Sequence, residues 1–298
     1  MAEEAVLFGA SRSLVGIVSE PVSGERRADR PPAVILLNSG LIHRVGPNRL
    51  YVRLSRLLAA QGIPSLRFDL SGIGDSATRT DKVPFKESSV QETRDAMDYL
   101  ATTRGCDRFV LAGICTGAVV SYHTALADPR VVGVLMINAQ GLLDTSDQET
   151  RAYLAHQRAG RHYVGSAIYN YRSWLRLLSG RVDYRELLGV VRSKLVRQRI
   201  GKLGRLPEAE TVQKGLRALA DRGTELSLLY SEGDPGIDEL NIALGEERDS
   251  FRALRNVTLR IVDNADHMFT ALTKQHEFLR LTGDWLQSFG TRVATRVS

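Results

Sequence analysis

The chain has 298 residues, of which 43% are hydrophobic and 25% charged, with 26 Gly and only 9 Pro. This composition is typical of a folded globular protein and excludes collagen and wholly disordered chains. The net charge of +6 is modest for this length, so charge alone does not predict a nucleic-acid partner. No apolar run approaches the roughly 18 residues that a membrane span requires, and the acidic first residues do not resemble a secretory signal. We therefore expect a cytoplasmic protein with neither a membrane nor a nucleic-acid partner.

The two cysteines, Cys106 and Cys115, are too few and too close in sequence to predict a disulfide framework or a four-ligand zinc site. Gly72 and Gly74 lack the further glycine of a dinucleotide loop and the Gly-Lys-Ser of a phosphate loop. The sequence therefore predicts no metal and no cofactor. Any chemistry at a cysteine would use a free thiol.

Strand and helix patterns alternate along most of the chain. Residues 5–9 and 14–19 predict an antiparallel hairpin, and the continuous apolar run of residues 33–38 is typical of a strand buried on both faces. Later runs that also predict strands are residues 64–70, 108–113, 131–138, 224–231 and 257–262. These repeated units predict an α/β fold, with a mostly parallel sheet and helices on both of its faces.

Helices are expected between these strands. Residues 48–62 place leucines on one stripe and end at a glycine, a residue that favours helix C-termini. Ser89 and Glu92 form a capping-box pair that predicts the start of a second helix. A third helix follows Cys115. The last helix, residues 273–290, is expected to face inward with Phe278, Leu281, Trp285 and Leu286.

The pattern changes over residues 141–223, where helical stretches rich in arginine and tyrosine show no clear strand. We interpret this segment as a helical cap inserted into a core formed by residues 1–140 and 224–298. Residues 172–205 contain ten basic and two acidic side chains. This basic excess indicates either a solvated helical face or a surface for an anionic partner.

The most informative stretch is Gly113-Ile114-Cys115-Thr116-Gly117, which joins a buried strand to a helix. Such a sharp turn strains its middle residue and admits only small residues two positions away. The turn would place the sulfur of Cys115 at the carboxyl edge of the sheet, over a helix N-terminus that favours a thiolate. The N–H of Thr116 would face a substrate carbonyl oxygen and stabilise the anion formed on attack. The alternative is that Cys115 is a small buried hydrophobic residue beside two packing glycines.

This turn resembles the nucleophile elbow of the α/β-hydrolase superfamily, with cysteine in place of the more frequent serine. A second superfamily motif, Asp-x-x-Gly-x-Gly-x-Ser, is matched by Asp69, Gly72, Gly74 and Ser76. The resemblance covers almost the whole chain apart from the cap, and it implies an α/β-hydrolase fold. The superfamily's His-Gly turn is matched loosely at residues 38–41, where Ser39 replaces the histidine. The resemblance implies that the N–H of Leu41 is the second oxyanion donor.

A thiol nucleophile needs a base, and His267 follows the last predicted strand, at the same sheet edge as Cys115. The superfamily resemblance implies a histidine at this place, before the final helix. Asp234 follows the preceding strand and is our choice for the carboxylate that orients the imidazole, with Asp238 as its nearest competitor. The chain order of nucleophile, acid and base agrees with the resemblance. Less favoured acids are Glu232 and Asp144, and loop roles are expected for Asp263 and Asp266.

His43 and Arg44 follow the turn at residues 38–41 and are expected at the mouth of the pocket. They are our candidates for substrate binding, although His43 would also suit a helix cap. The histidines that occur in helical or cap contexts, which do not favour a catalytic role, are His123, His156, His162 and His276.

Together these residues predict an acyl hydrolase or acyltransferase that acts on an ester or a thioester through an acyl-cysteine intermediate. The aromatic residues of the cap predict apolar walls for an acyl group, and its basic excess would suit coenzyme A or an acidic carrier protein. Two alternatives are open. One is a lyase that eliminates an acyloxy group in the same pocket, and the other is a non-catalytic binding module on the same scaffold.

Overall fold

The computed structural model describes residues 2–9, 11–21, 31–143 and 207–294. Within these ranges, eight strands form one sheet. The strands are β1 (Ala2–Phe8), β2 (Leu14–Glu20), β3 (Ala33–Leu37), β4 (Ser65–Phe68), β5 (Phe109–Ile114), β6 (Val131–Ile137), β7 (Glu225–Ser231) and β8 (Val257–Val262).

The strands lie in the order β1-β2-β4-β3-β5-β6-β7-β8. β2 pairs with both β1 and β4 in antiparallel fashion, and the pairings from β4 through β8 are parallel. The N-terminal hairpin and the mostly parallel sheet predicted from the sequence are both confirmed. Because the parallel strands run in one direction, their carboxyl ends meet at one edge, where the following loops bring side chains together.

Helices cover both faces of the sheet. α1 and α7 lie on one face and α2 to α6 on the other. Among the described residues, no helix is both long enough and apolar enough to cross a membrane. The helices are α1 (Leu50–Ala60), α2 (Phe85–Arg104), α3 (Thr116–Ala127), α4 (Pro207–Asp221), α5 (Pro235–Leu244), α6 (Arg248–Arg252) and α7 (Leu272–Ala294).

β3 shows why the central strands are apolar throughout. Val34 and Leu36 join the core under α1 and α7, whereas Ile35 and Leu37 join the core on the opposite face. Successive strand residues point to opposite faces, and here both faces are covered. β3 lies beside β5 in the middle of the sheet, so the loops that follow these two strands meet at the centre of the carboxyl edge.

Two helix starts differ from the sequence prediction. The prediction that Ser89 and Glu92 form a capping box at the start of α2 is wrong. The helix begins one turn earlier, at Phe85, and both residues are buried within it. Glu92 instead accepts a hydrogen bond from the N–H of Ser71 (2.8 Å). This partner is distant in sequence, and local spacing therefore does not reveal it.

α5 has no counterpart in the sequence prediction. Asp234 is its N-cap and accepts from the N–H of Gly236 (2.8 Å), with Pro235 in the first turn. Asp followed by Pro is a local signal for a helix start, so this helix was accessible from the sequence.

Most of the predicted cap lies outside the described residues, which stop at residue 143 and resume at residue 207. The helix at its C-terminal end, α4, packs with the core. Its buried side chains in that core include Ala209, Val212, Leu216 and Leu219. The division into core and cap stays a prediction, as does the role of the basic residues 172–205.

Candidate active site

Cys115 stands between the end of β5 and the start of α3, in the sharp turn predicted for it. Its backbone has φ 58° and ψ −120°, a conformation that residues other than glycine rarely adopt. Such strain costs on the order of 1–3 kcal/mol and persists only where the surrounding structure enforces it. The N–H of Cys115 donates to the carbonyl of Ile137 (2.9 Å), and the side chain is partly exposed. The thiol is therefore presented at the carboxyl edge and is not sealed in the interior.

Gly113 and Gly117 leave the space that this turn needs. A Cβ on Gly113 would lie 2.2 Å from the carbonyl carbon of Gly117. A Cβ on Gly117 would lie 2.6 Å from the carbonyl oxygens of Leu37 and Asn38. These are backbone atoms that cannot swing aside, so the elbow packs directly against the end of β3.

We expect Gly117→Ala to lower the free energy of unfolding by about 2–3 kcal/mol, because the added methyl group must push β3 and α3 apart. Gly283→Ala in α7 is a matched control, since its new Cβ would meet mainly the flexible end of the Leu57 side chain (2.8 Å). Urea unfolding of the two variants measures the difference. Equal stability would contradict the close packing of the elbow.

Tyr51 ties two strands together beneath the elbow. Its hydroxyl donates to the carbonyl of Leu37 (2.9 Å) and accepts from the N–H of Ile114 (2.9 Å). Burial raises the pKa of Tyr51 well above its usual value, so the hydroxyl keeps its proton. The sequence predicted only an amphipathic helix here and gave no signal for this contact.

His267 and Asp234 meet at the same edge, on the loops that follow β8 and β7. His267 Nδ1 lies 2.5 Å from Asp234 Oδ2, and the Asp234 side chain is 1% exposed. Cys115 is close enough to the same imidazole to be the second cause, after Asp234, of its raised pKa. Because Asp234 occupies Nδ1, Nε2 is the nitrogen left for the sulfur. The three residues selected from the sequence thus lie at one edge of the sheet, and the carboxylate that touches His267 is Asp234 rather than Asp238.

The hydrogen bonds to Asp234 and, second, to Cys115 raise the pKa of His267 to about 10, against a smaller opposing effect of burial. A raised pKa means that the folded protein stabilises the protonated imidazole. The imidazolium therefore persists at neutral pH and is lost only as the pH approaches that value.

Two buried polar residues hold the loop that carries His267. Asn138, which follows β6, donates to the carbonyl of His267 (2.8 Å) and accepts from the N–H of Ser231 (2.6 Å). The hydroxyl of Ser231 donates to the carbonyl of Asp266 (2.8 Å). Asp266 is a loop residue, as interpreted from the sequence, and its carboxylate accepts from backbone N–H groups further along the loop. Asn138 and Ser231 were not selected from the sequence, because they are far from His267 along the chain.

The loop after β3 lies against the first turn of α3. The N–H of Ile42 donates to the carbonyl of Ser39 (3.0 Å) and closes a tight turn in which Gly40 has φ 56°. The N–H of Gly40 donates to the hydroxyl of Thr116 (2.8 Å), which joins this turn to the elbow. Leu41 belongs to the same turn, and its side chain is 90% exposed. The N–H groups of Leu41 and Thr116, predicted to form the oxyanion hole, are thus carried by two segments in direct contact.

Asp69, which is fully buried, anchors the same loop from below. Its Oδ1 accepts from the N–H of Arg44 (2.5 Å) and from Asn38 Nδ2 (3.2 Å). The hydroxyl of Ser76 donates to the carbonyl of Asp69 (2.6 Å). A Cβ on Gly74 would lie 2.2 Å from Asp69 Oδ2, which explains the glycine at this motif position. The glycine-rich motif therefore supports the loop that carries Leu41.

The two substrate-binding candidates have different surroundings. The guanidinium of Arg44 is paired with Asp69 and with Asp75 (2.5 Å), so its charge is balanced within the protein. The side chain of His43 is exposed. A substrate-binding role for either residue stays a prediction.

Other residues weighed from the sequence lie away from this contact or outside the described ranges. His123 lies two turns into α3, where burial and, to a smaller extent, Lys86 lower its pKa to about 4. His276 is exposed on α7, and Cys106 is buried ahead of β5. In the part of the chain that the structure describes, no group of His, Cys, Asp and Glu could hold a metal ion. The candidates outside that part are Asp144, His156 and His162.

The comparison with protein families identifies the fold. The model of the alpha/beta hydrolase family matches residues 34–281, which include the elbow, the glycine-rich motif, Asp234 and His267. The chain belongs to the alpha/beta hydrolase family. The fold implied by the resemblance is therefore confirmed, including the eight-stranded, mostly parallel sheet with its N-terminal antiparallel hairpin. The role of Cys115 within this alpha/beta hydrolase stays a proposal.

Solved structures share this fold at low sequence identity. Alpha/beta hydrolase GrgF from Penicillium sp. sh18 has a TM-score of 0.58 and 17% identity, over 98% of this chain and 100% of that one. Dienelactone hydrolase from Anabaena variabilis has a TM-score of 0.56 and 13% identity, over 96% and 97%. Proline iminopeptidase from Mycobacterium smegmatis has a TM-score of 0.54 and 18% identity, over 98% and 100%. A search of curated proteins found no match.

Proposed function

We propose that this alpha/beta hydrolase is an acyl hydrolase or acyltransferase that acts on an ester or a thioester through an acyl-cysteine intermediate. The observation that carries the proposal is the pair of His267 and Asp234, with Nδ1 of the imidazole 2.5 Å from the carboxylate, beside the strained turn of Cys115, which also acts on the imidazole. A nucleophile beside an imidazole that a buried carboxylate orients is suited to covalent catalysis. The proposed chemistry uses no cofactor.

Before the acylation step the proton of the Cys115 thiol moves to His267, and the sulfur then attacks the carbonyl carbon of the substrate as a thiolate. A C–S bond forms, and the carbonyl oxygen takes up the negative charge. The N–H groups of Leu41 and Thr116 stabilise this oxyanion. The bond to the leaving group then breaks, and His267 returns the proton to the departing alcohol or thiol. The acyl group is left on Cys115.

In the second step, water or another acceptor attacks the acyl-cysteine. His267 removes a proton from the attacking group and gives it to the sulfur as the C–S bond breaks. With water the product is a carboxylic acid, and with an alcohol, amine or thiol it is a transferred acyl group. Hydrolysis and transfer share every residue named here, so the acceptor decides which product forms.

Thioesters of coenzyme A or of a carrier protein are the favoured substrate class within this proposal. Attack of a thiolate on a thioester yields another thioester, so little acyl-transfer free energy is lost in the first step. Residues 172–205 contain ten basic and two acidic side chains, a composition that favours phosphates or an acidic carrier.

The test is intact-mass measurement after incubation with an acyl-coenzyme A thioester and, separately, with an activated ester. We expect the protein to gain one acyl group at Cys115. Cys106→Ala is the matched control and should acylate normally, whereas Cys115→Ala should gain no acyl group and His267→Ala should acylate far more slowly. Acylation that survives Cys115→Ala, or that is unaffected by His267→Ala, would contradict the proposed mechanism.

Product analysis separates the alternatives. A non-catalytic binding module would show no acylation and no turnover with either substrate. A lyase would release an unsaturated product and a carboxylate without incorporating an acceptor. Release of acid in water, and of an acyl adduct when an alcohol or amine is added, supports the hydrolase or acyltransferase.

A further inference from the structure

Gln140 reaches the contact between His267 and Asp234 from a third loop. It lies just after β6, and its Nε2 is 3.3 Å from Asp234 Oδ1 and 3.1 Å from His267 Nδ1. The amide nitrogen can only donate, so the carboxylate is its acceptor. His267 Nδ1 also donates to this carboxylate, at Oδ2. Two N–H donors therefore share one carboxylate and face each other at hydrogen-bond distance.

The position of Gln140 is held by the backbone that follows it. The N–H groups of Gly141 and Leu142 both donate to Glu239 Oε2, at 2.8 and 3.0 Å. Glu239 is itself buried in α5. These two hydrogen bonds hold the backbone directly after Gln140 in place. The amide of Gln140 therefore stays beside Asp234.

We propose that Gln140 is a positioning residue that limits how strongly Asp234 holds the protonated imidazole of His267. The inference rests on the proposed function, because it assigns that imidazole the transfer of a proton to the leaving group. An amide that donates to Asp234 draws negative charge away from the oxygen that faces Nδ1. Its N–H dipole also points a positive end toward the imidazolium. Both effects make the imidazolium a stronger acid.

A weaker hold of Asp234 on the imidazolium makes it easier for His267 to give its proton to the leaving group. A carboxylate and a thiol together favour the imidazolium so strongly that it becomes a reluctant proton donor. Among the described residues, the ionisable groups that act on His267 are Asp234 from the β7–α5 loop and Cys115 from the elbow. The carboxylates of Asp266 and Glu239 are engaged by backbone N–H groups. Gln140 is the neutral group that opposes Asp234.

The test is a titration of His267 by NMR with labelled histidine, in which His267→Ala assigns the signal. The titration is done in a Cys115→Ala background, so that no thiolate contributes and no activity is needed. We expect Gln140→Met, which has no donor, to raise the titration midpoint by about one pH unit, a tenfold change in the acid constant. Gln140→Glu, which keeps the shape and adds a carboxylate, should raise the midpoint further.

Gln91→Met is the matched control. Gln91 Nε2 donates to Asp95 Oδ1 (2.9 Å) on the exposed surface of α2, so the same kind of bond is removed far from the site. Its His267 midpoint should equal that of the Cys115→Ala parent. An unchanged or lowered midpoint in folded Gln140→Met would overturn the inference, and Gln140→Leu, which also lacks a donor, decides the question in the same way if Gln140→Met does not fold. The acylation experiment tests the proposed function separately, because it depends on Cys115 and not on this titration.

Discussion

Replacing Cys115 by alanine is expected to reduce the turnover of ester and thioester substrates by about a millionfold, to the level of binding and oxyanion stabilisation alone. Alanine removes the sulfur that the proposed mechanism acylates. It is smaller than cysteine and fits the same elbow, so the fold should be retained. Steady-state turnover and the absence of an acyl adduct, measured on one sample, check this result.

Cys115→Ser and Cys106→Ala complete the comparison. Serine keeps the shape of the elbow, but its hydroxyl ionises far less readily than a thiol, so its turnover should fall between wild type and alanine. Cys106 is buried away from the contact with His267, and Cys106→Ala should keep wild-type turnover. Undiminished turnover by Cys115→Ala would show that another group is the nucleophile.

Asp234→Asn is expected to lower kcat/KM by about 10³- to 10⁴-fold. Asp234 Oδ1 accepts from the N–H of Gly236, so an asparagine oxygen would keep that bond and turn its NH₂ toward His267. Two donors would then face each other unless Nδ1 gave up its proton. The imidazole would take the wrong tautomer, with the proton on Nε2, and could not receive one from the thiol.

The pH dependence should change as well. The bond to Asp234 is the largest cause of the raised pKa of His267, so its loss should move the His267 titration down toward the ordinary value. The alkaline limb of kcat/KM, where the imidazolium is lost, should shift to lower pH in the same variant. Asp238→Asn, four residues further along in α5, is the control and should keep kcat/KM within about tenfold of wild type. If the effects of the two substitutions were reversed, Asp238 would be the acid.

The turn at Cys115 shows which features of the site could be predicted from neighbouring residues. The two glycines around Cys115 are needed because a Cβ on either would strike backbone atoms. For Gly113 those atoms belong to Gly117, four residues along the chain, so this constraint is local and the sequence pattern predicts it. For Gly117 they belong to Leu37 and Asn38 at the end of β3, a contact that only the assembled sheet creates. His267 was expected at the same edge as Cys115 for a different reason, because the carboxyl ends of parallel strands meet at one edge of the sheet.

Contacts between side chains from different loops at the sheet edge could not be predicted from the local sequence. Gln140 is the last residue before the predicted cap. No residue near it in sequence indicates a contact with Asp234, which is distant along the chain. Asn138 and Asp69 hold the loops of the site in the same way, each through partners from other strands. The capping box at Ser89 failed for a related reason, since Glu92 bonds to a distant loop instead of to its own helix end.

The amino-acid sequence by itself determined the strands and the strained turn at Cys115, because hydrophobic periodicity and steric limits act over a few residues. The tertiary structure alone decided that Asp234 rather than Asp238 contacts His267, that Arg44 is balanced by carboxylates, and that Gln140 joins the site. These outcomes depend on distances between loops from different strands, which only the assembled sheet defines.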